Sequence, residues 1–492
     1  MATIVLIALL ISAIIYLVIG FSLGKHNKSL ADLFPIIFGR NAKVQTIDEF
    51  STSTIATTVS LATIVLAYFE LAGSFGLWLL WTAVTTTFGM YIVSLTSKRI
   101  WRKMSTYTHR PSMHEFLGIE FNSKSVALIA SACTSIGFLL IFATELVVGS
   151  KFLAGLVPFI PQWVTVVFLS AVGFTYTLYG GFRAVIKTDQ IQMKFIWALI
   201  IAFAGYYAYY IFSTGGWAAH IQKVPPGILS LSSRPGLGFF LLGIAIMNIP
   251  THISNMAVWQ RISGVQNPEI IEKGIKRSVY GIGMAWGMLS LIACFGYMVV
   301  VPGKDHSLII ELLKVISLTP GGKIVLFVVT LGLYGAMLST ASTNLIVVSH
   351  TLSEDIFAKL RKKILFDRIE SHKELNLSKG VLIGSTLLAI FLVEGLKLFG
   401  FSIADLVFAI YGGSLALFPL IITALYNKPE RLKTLSGYAN AAVIAGFVGG
   451  WGAALTGKIT GDSNLIFLSP SVSIFTSGLI IIVGLAATTR TS

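Results

Sequence analysis

Apolar stretches of about twenty residues recur along the whole chain, and they limit its fold more than any other feature. A helix of this length crosses the hydrocarbon core of a bilayer. Only 12% of the residues are charged, against roughly a quarter in soluble proteins. The sequence therefore predicts an all-α membrane protein. We predict thirteen transmembrane helices, over residues 3–24, 48–71, 74–97, 125–156, 161–179, 188–213, 237–259, 278–301, 321–350, 380–396, 401–425, 437–457 and 468–488.

The lysines and arginines predict the orientation of these helices. Most of the 36 fall in cytoplasmic loops if the N-terminus lies outside, as the positive-inside rule requires. The first span has Lys25 and Lys28 after it and no basic residue before it, which favours an uncleaved helix over a signal peptide. Thirteen spans then place the C-terminus in the cytoplasm. The net charge of +15 faces anionic lipid in this arrangement, which argues against a nucleic-acid partner.

Two blocks of five spans lie on either side of a long connection, and each block opens with an interrupted span. The first is rich in hydroxyls and is predicted to break near the sequence LAGSFG, whereas the second contains Pro250 among polar residues. Interrupted helices at matching places are typical of inverted repeats around a binding site at the midplane. We predict a single transporter domain over 1–492, with an extra helix at 3–24, a first inverted repeat at 48–213, a second at 237–425 and two C-terminal helices within 437–488.

The ninth span carries a polar cluster in the sequence GAMLSTASTNLIVV, residues 335–348. At helical spacing, Ala336, Ser339, Thr340 and Thr343 share one face. Hydroxyl and carbonyl oxygens on that face are neutral ligands that suit Na⁺, whereas carboxylates favour Ca²⁺ or Mg²⁺.

The first broken span can supply the remaining oxygens. The candidates are the carbonyls of Ala56 and Val59, or those of Thr57 and Ser60 if the register shifts by one residue. Ser and Thr clusters also join membrane helices by hydrogen bonds and close packing. Residue spacing alone leaves a sodium site and a packing interface equally open.

Three segments resemble the sodium/solute symporter family: YTLYGGFRAVIKTDQIQ, GAMLSTASTNLIVVSHTLSEDIF and, more weakly, VWQRISGVQNPE. The similarity covers nearly the whole chain. It implies the inverted five-helix repeat fold of the bacterial leucine transporter and transport of a solute by the Na⁺ gradient. It also implies a main sodium site formed by the carbonyls of Ala56, Val59 and Ala336 and the hydroxyls of Ser339 and Thr340.

Some members of that family have a further sodium site. The matching residues are Ser342, Thr343 and Asp189. Asp189 has an alternative role, because an aspartate beside Thr188 in an inside loop is typical of a helix N-cap.

The resemblance places the solute between the two broken helices and the third core helix. Asn255 matches a position that contacts sugar in the family's galactose transporter, but that transporter's lysine and a sugar-binding glutamate have no counterparts here. A hexose is therefore not expected, and an amino acid or similar small polar metabolite is the leading candidate. His252 is alternatively a core histidine. The predicted substrate-binding residues are Ser60, Thr63, Glu145, Asn248, Thr251, His252 and Asn255.

Glu145 is the most conspicuous ionisable residue of the third core helix, and a carboxylate within a membrane is usually paired or functional. Its alternatives are a pair with Lys151, hydrogen bonds within the helix bundle, contact with the solute, or transfer of a proton. Rival functions are therefore an H⁺-coupled transporter of the same fold and a transporter-like solute sensor. No HExxH, GxSxG or Walker sequence indicates an enzyme, and no organic cofactor is expected. The lack of a long glycosylated loop favours a bacterial inner membrane.

Overall fold

The computed structural model describes residues 1–25, 29–35, 43–107, 110–303, 306–361 and 372–489, and helices joined by short connections make up nearly all of these ranges. Two π-helical segments, Leu61–Leu66 and Thr351–Phe357, and two short 3₁₀ segments, Gly76–Leu79 and Leu415–Leu417, interrupt or extend the α-helices. The α-helices are α1 Ala2–Gly24, α2 Leu30–Leu33, α3 Ile47–Ala56, α4 Ala67–Phe75, α5 Leu80–Ser105, α6 Met113–Glu120, α7 Lys124–Leu156, α8 Gln162–Ser213, α9 Gly216–Ile221, α10 Leu237–Ser254, α11 Met256–Ser263, α12 Pro268–Val299, α13 Leu308–Leu318, α14 Gly322–His350, α15 Ala358–Arg361, α16 His372–Phe399, α17 Ile403–Ser414, α18 Phe418–Tyr426, α19 Pro429–Thr434, α20 Ser436–Thr460 and α21 Ser463–Thr489.

Eleven helical stretches of the described chain are long and apolar enough to cross a membrane. The protein is therefore an integral membrane protein. Every predicted span overlaps a helix, but the count of thirteen is not confirmed, for two physical reasons. The 52-residue α8 contains two of the predicted spans, and the 10-residue α3 is too short to count by itself.

The long helix α8 changes direction at Gly181. This residue has φ 59° and ψ −161°, a conformation that is essentially limited to glycine. A Cβ atom at this position would lie 2.5 Å from the backbone oxygen of Asp32. Gly181 therefore permits both the bend of α8 and the close approach of α2.

The centre of the bundle is α14, which packs most extensively against α8 and also contacts α1 and α7. Residues 329–350 of α14 are all buried, including its whole polar cluster. Large apolar side chains such as Phe391 and Phe212 are exposed on the outer helices, as expected for surfaces that face lipid. Polar groups in the centre must therefore find partners within the protein.

The predicted cytoplasmic end of α3 is fixed by ion pairs. Arg183 donates to both carboxylate oxygens of Glu49, at 2.6 and 2.7 Å, and Lys187 lies 2.6 Å from the same carboxylate. Both cations belong to α8, beyond the bend at Gly181. Nearby, Val44 forms a parallel β-bridge with Val265. The start of α3 is thus held against the second half of α8 and the end of α11.

Candidate functional site

The first interrupted helix is open at residues 57–60. The helix α3 ends at Ala56, and a π-helical segment resumes at Leu61 before α4. The chain also turns at the predicted break near LAGSFG, where α4 ends at Phe75 and Gly76 has φ 53°, but the sequence did not predict this earlier interruption. Residues 57–60 belong to neither helical segment, and Ala56 and Val59, which flank or lie within this opening, are both fully buried.

The second interrupted helix is open at Asn255. The chain is extended there, with φ −87° and ψ 114°, and α11 starts at the next residue. The sequence predicts the break around Pro250, yet α10 continues through this proline to Ser254. The side chain of Asn255 accepts a hydrogen bond from the backbone N–H of Ala257 at 2.8 Å. The side-chain oxygen of Asn255 therefore caps the start of α11.

The predicted sodium ligands lie on elements that pack against each other. Ala336, Ser339 and Thr340 are buried on α14, which packs against α3 and the π-helical segment that follows the first interruption. The Ser339 hydroxyl donates to Oδ1 of Asp189 at 2.7 Å. The buried Thr340 hydroxyl has no hydrogen-bond partner among the described residues. The Ser339 hydroxyl thus donates a hydrogen bond to Asp189, so its lone pairs can face a cation. The Thr340 oxygen has no partner among the described residues and can do the same.

Asp189 is the centre of a second polar cluster. Its Oδ2 accepts hydrogen bonds from Ser53 and from Arg261, the latter at 3.1 Å. Arg261 also donates to the hydroxyls of Ser53, at 2.9 Å, and Thr343, at 3.2 Å. Both charged groups are 0% exposed. The N-cap prediction for Asp189 is wrong, since the residue lies inside the second half of α8 and bonds to three other helices.

The guanidinium of Arg261 therefore occupies the position next to Asp189 that was predicted for a further sodium ion. Thr343 accepts a hydrogen bond from it, and Ser342 donates to the Ser339 carbonyl of its own helix at 3.3 Å. Arg261 and Ser53 were not predicted as members of this cluster. The only signal for Arg261 was its place in the weakest of the three resemblance segments, VWQRISGVQNPE.

A cavity of about 70 Å³ lies between the two interrupted helices. Its wall includes four of the predicted substrate-binding residues, together with threonines of α5 and of the first interruption and aromatic side chains of α4, α12 and α17. Ser60 and Glu145 do not line it, and the side chain of Thr63 lies outside the described residues. The predicted lining residues are Asn248, Thr251, His252 and Asn255.

Glu145 lies behind the cavity, against the first interruption. Its carboxylate accepts hydrogen bonds from the Ser60 hydroxyl and from the backbone N–H groups of Leu61 and Ala62, the last at 3.4 Å. Its second oxygen, Oε1, is buried without a partner among the described residues. The predicted pair with Lys151 is not formed in the described part of the chain, where Lys151 is exposed. Glu145 instead satisfies backbone groups that the break leaves open.

Comparison with known proteins supports this arrangement at the level of the fold. No family model matches the chain, and no curated protein matches it. A solved Na⁺-coupled sialic acid symporter, in a substrate-bound outward-open state, matches over 98% of both chains at 17% identity with a TM-score of 0.74. The chain has a leucine transporter-like fold.

Two further solved structures share this leucine transporter-like fold. The nucleobase-cation-symport-1 family transporter Mhp1, closed with bromovinylhydantoin bound, matches at 14% identity and a TM-score of 0.55, over 92% of this chain and 96% of its own. MhsT in complex with L-phenylalanine matches at 14% identity and a TM-score of 0.52, over 91% of this chain and 100% of its own. The predicted fold class is confirmed, and membership of the sodium/solute symporter family stays a prediction.

Proposed function

We propose that this protein is a Na⁺-coupled symporter of a small polar solute. The observation that carries the proposal is the pair of hydroxyls, Ser339 and Thr340, on the helix that packs against the first interruption of a leucine transporter-like fold. One of the structural matches is itself a Na⁺-coupled symporter, which adds support.

In this proposal, Na⁺ joins α14 to the interrupted helix. Its ligands are the carbonyls of Ala56, Val59 and Ala336 and the hydroxyls of Ser339 and Thr340. The ion stabilises whichever arrangement holds these oxygens together, because a ligand shifts a conformational equilibrium only by its difference in affinity for the two states. Asp189 orients the Ser339 hydroxyl by accepting a hydrogen bond from it.

The solute binds in the cavity between the two interruptions, where Asn248, Thr251, His252 and Asn255 form part of the wall. Transport follows when the repeats at 48–213 and 237–425 rock against each other around this site. The N-terminus lies outside, the C-terminus lies in the cytoplasm, and the membrane is a bacterial inner membrane.

A further sodium ion at Asp189, Ser342 and Thr343 is the weaker part of the proposal. Arg261 already neutralises Asp189, so a second ion there requires the guanidinium to move away. We therefore propose that one Na⁺ is transported with each solute molecule.

Sodium is expected to raise the thermal unfolding midpoint of the purified protein in NaCl relative to choline chloride at equal ionic strength. At a Na⁺ concentration about 100 times the dissociation constant, linkage gives about 2.7 kcal/mol of added stability. The double substitution Ser339→Ala/Thr340→Ala removes two of the five proposed ligands and is expected to abolish the difference between the salts.

The matched control is Thr330→Ala on the same helix. The Thr330 hydroxyl is equally buried but bonds the Leu326 carbonyl one turn earlier, at 2.8 Å. This variant is expected to keep the full response to Na⁺. If Thr330→Ala also lost its stabilisation by Na⁺, any loss of a side chain from α14 would have this effect. The experiment would then give no support to the proposed sodium site.

Proton coupling is the second candidate function, and the partnerless Oε1 of Glu145 favours it. If Na⁺ leaves the midpoint of the wild type unchanged, transport in proteoliposomes is expected to follow a pH gradient instead. Glu145→Gln would then abolish the response to that gradient. A response to the Na⁺ gradient that survives in Glu145→Gln excludes this alternative.

A further inference from the structure

The described walls of the cavity carry no side chain of Asp, Glu, Lys or Arg. Burial of a charged group without a counter-charge costs several kcal/mol, so a charged solute finds no compensation in these walls. The aromatic part of the wall is formed by Tyr68, Trp286, Phe408 and Tyr411. The described wall is thus neutral, with an extended aromatic side.

At both interruptions, described N–H groups that could bind an anion already have an acceptor within the protein. Carboxylates are normally held by free N–H groups where a helix begins. At the first interruption, the carboxylate of Glu145 already accepts from Leu61 and Ala62. At the second, Asn255 already accepts from Ala257. Side chains of the protein therefore already accept hydrogen bonds at the start of both helical segments that follow the interruptions.

Two polar groups of the cavity wall remain available for a neutral solute. The Thr86 hydroxyl is fully buried and has no hydrogen-bond partner among the described residues. The His252 ring is 5% exposed, lines the cavity and forms no hydrogen bond or ion pair with any described residue. A neutral imidazole offers one donor and one acceptor.

We infer that the solute is uncharged, with hydrogen-bonding groups on one side and an apolar or aromatic face on the other. Amides and neutral heterocycles belong to this class, whereas amino acids and other carboxylates do not. Glu145 takes the place of a solute carboxylate at the first interruption. The inference rests on the proposed transport function for the identity of the site, but the occupied N–H groups can be tested without transport.

Matched solutes test the charge of the ligand in the wild-type protein. Nicotinamide against nicotinate and uracil against orotate differ mainly in a carboxylate, and benzylamine adds a cation. Any compound of this panel that raises the unfolding midpoint is expected to be neutral. Its charged counterpart is expected to bind on the order of 100-fold more weakly. Stabilisation by nicotinate, orotate, benzylamine or a free amino acid at equal or lower concentration would overturn the inference.

Propionate tests the role of Glu145 without knowledge of the solute. In Glu145→Ala, the N–H groups of Leu61 and Ala62 lose their acceptor, and propionate is expected to raise the unfolding midpoint of this variant. Glu145→Gln keeps an acceptor oxygen of similar reach, so neither it nor the wild type should respond. A response of the wild type, or none in Glu145→Ala, would overturn the assignment. Both measurements are made without Na⁺. If Na⁺ does not stabilise the protein, the proposed coupling is refuted, but the inference about the solute is not affected.

Discussion

Replacing Arg261 with methionine is expected to lower the free energy of unfolding by about 3–5 kcal/mol, the cost of leaving one member of a buried ion pair alone. Asp189 is 0% exposed, and Arg261 is its cationic partner at 3.1 Å. The remaining hydrogen bonds from Ser53 and Ser339 do not neutralise the charge. Titration of the protein in dodecyl maltoside with sodium dodecyl sulfate measures the change.

Two further variants show whether the effect belongs to the unpaired charge. Arg261→Met/Asp189→Asn removes both charges and is expected to recover most of the loss, since a neutral pair has no desolvated charge to compensate. Arg277→Met breaks an exposed pair with Asp48, in which both side chains are more than half exposed, and little change is expected. A loss in Arg261→Met no larger than in Arg277→Met would show that Asp189 does not depend on its partner.

Substitution of Gly181 by alanine is expected to cost about 3 kcal/mol or more. The backbone conformation alone costs a residue with a side chain on the order of 1–3 kcal/mol. The new Cβ would also lie 2.5 Å from the Asp32 oxygen and 3.0 Å from the Leu33 Cα. Backbone atoms cannot rotate away as a side chain does, so α2 or the bend of α8 must shift. The same detergent titration measures the loss.

Gly205 provides the control in the same long helix. It is helical, and no other atom lies within 4 Å of a Cβ at this position. Gly205→Ala is expected to be neutral or to stabilise the helix by up to about 1 kcal/mol. If Gly181→Ala proves as harmless as Gly205→Ala, the bend of α8 is not fixed by the conformation of residue 181.

The parts of the fold that depend on local composition were predictable. Apolar length located the helices, and the hydroxyl cluster of α14 was recognised because its residues are neighbours on one helix. The position of the second interruption was not predictable, because a proline can remain in a membrane helix when neighbouring groups satisfy the carbonyl that it frees. The chain opens at Asn255, where a side chain can cap the next helix.

Contacts between residues far apart in the chain could not be predicted from the sequence. Asp189 meets Ser53, Arg261 and Ser339 only because four helices converge, and a single sequence contains no record of such pairs. Glu145 was recognised as unusual, but its partners are backbone N–H groups of Leu61 and Ala62, and any residue type supplies those. Hence the sequence predicted a special carboxylate and could not say what it bonds.

The hydrogen bond from Ser339 to Asp189 fixes the direction of a hydroxyl dipole at the proposed sodium site. A hydroxyl has one proton, and this one points at the carboxylate, so the negative end of the O–H dipole points the other way. Replacing Asp189 with a residue that has no acceptor would release the hydroxyl to rotate, and its proton could then face an approaching ion. The selectivity of the proposed site for cations thus depends on a residue that need not touch the ion at all.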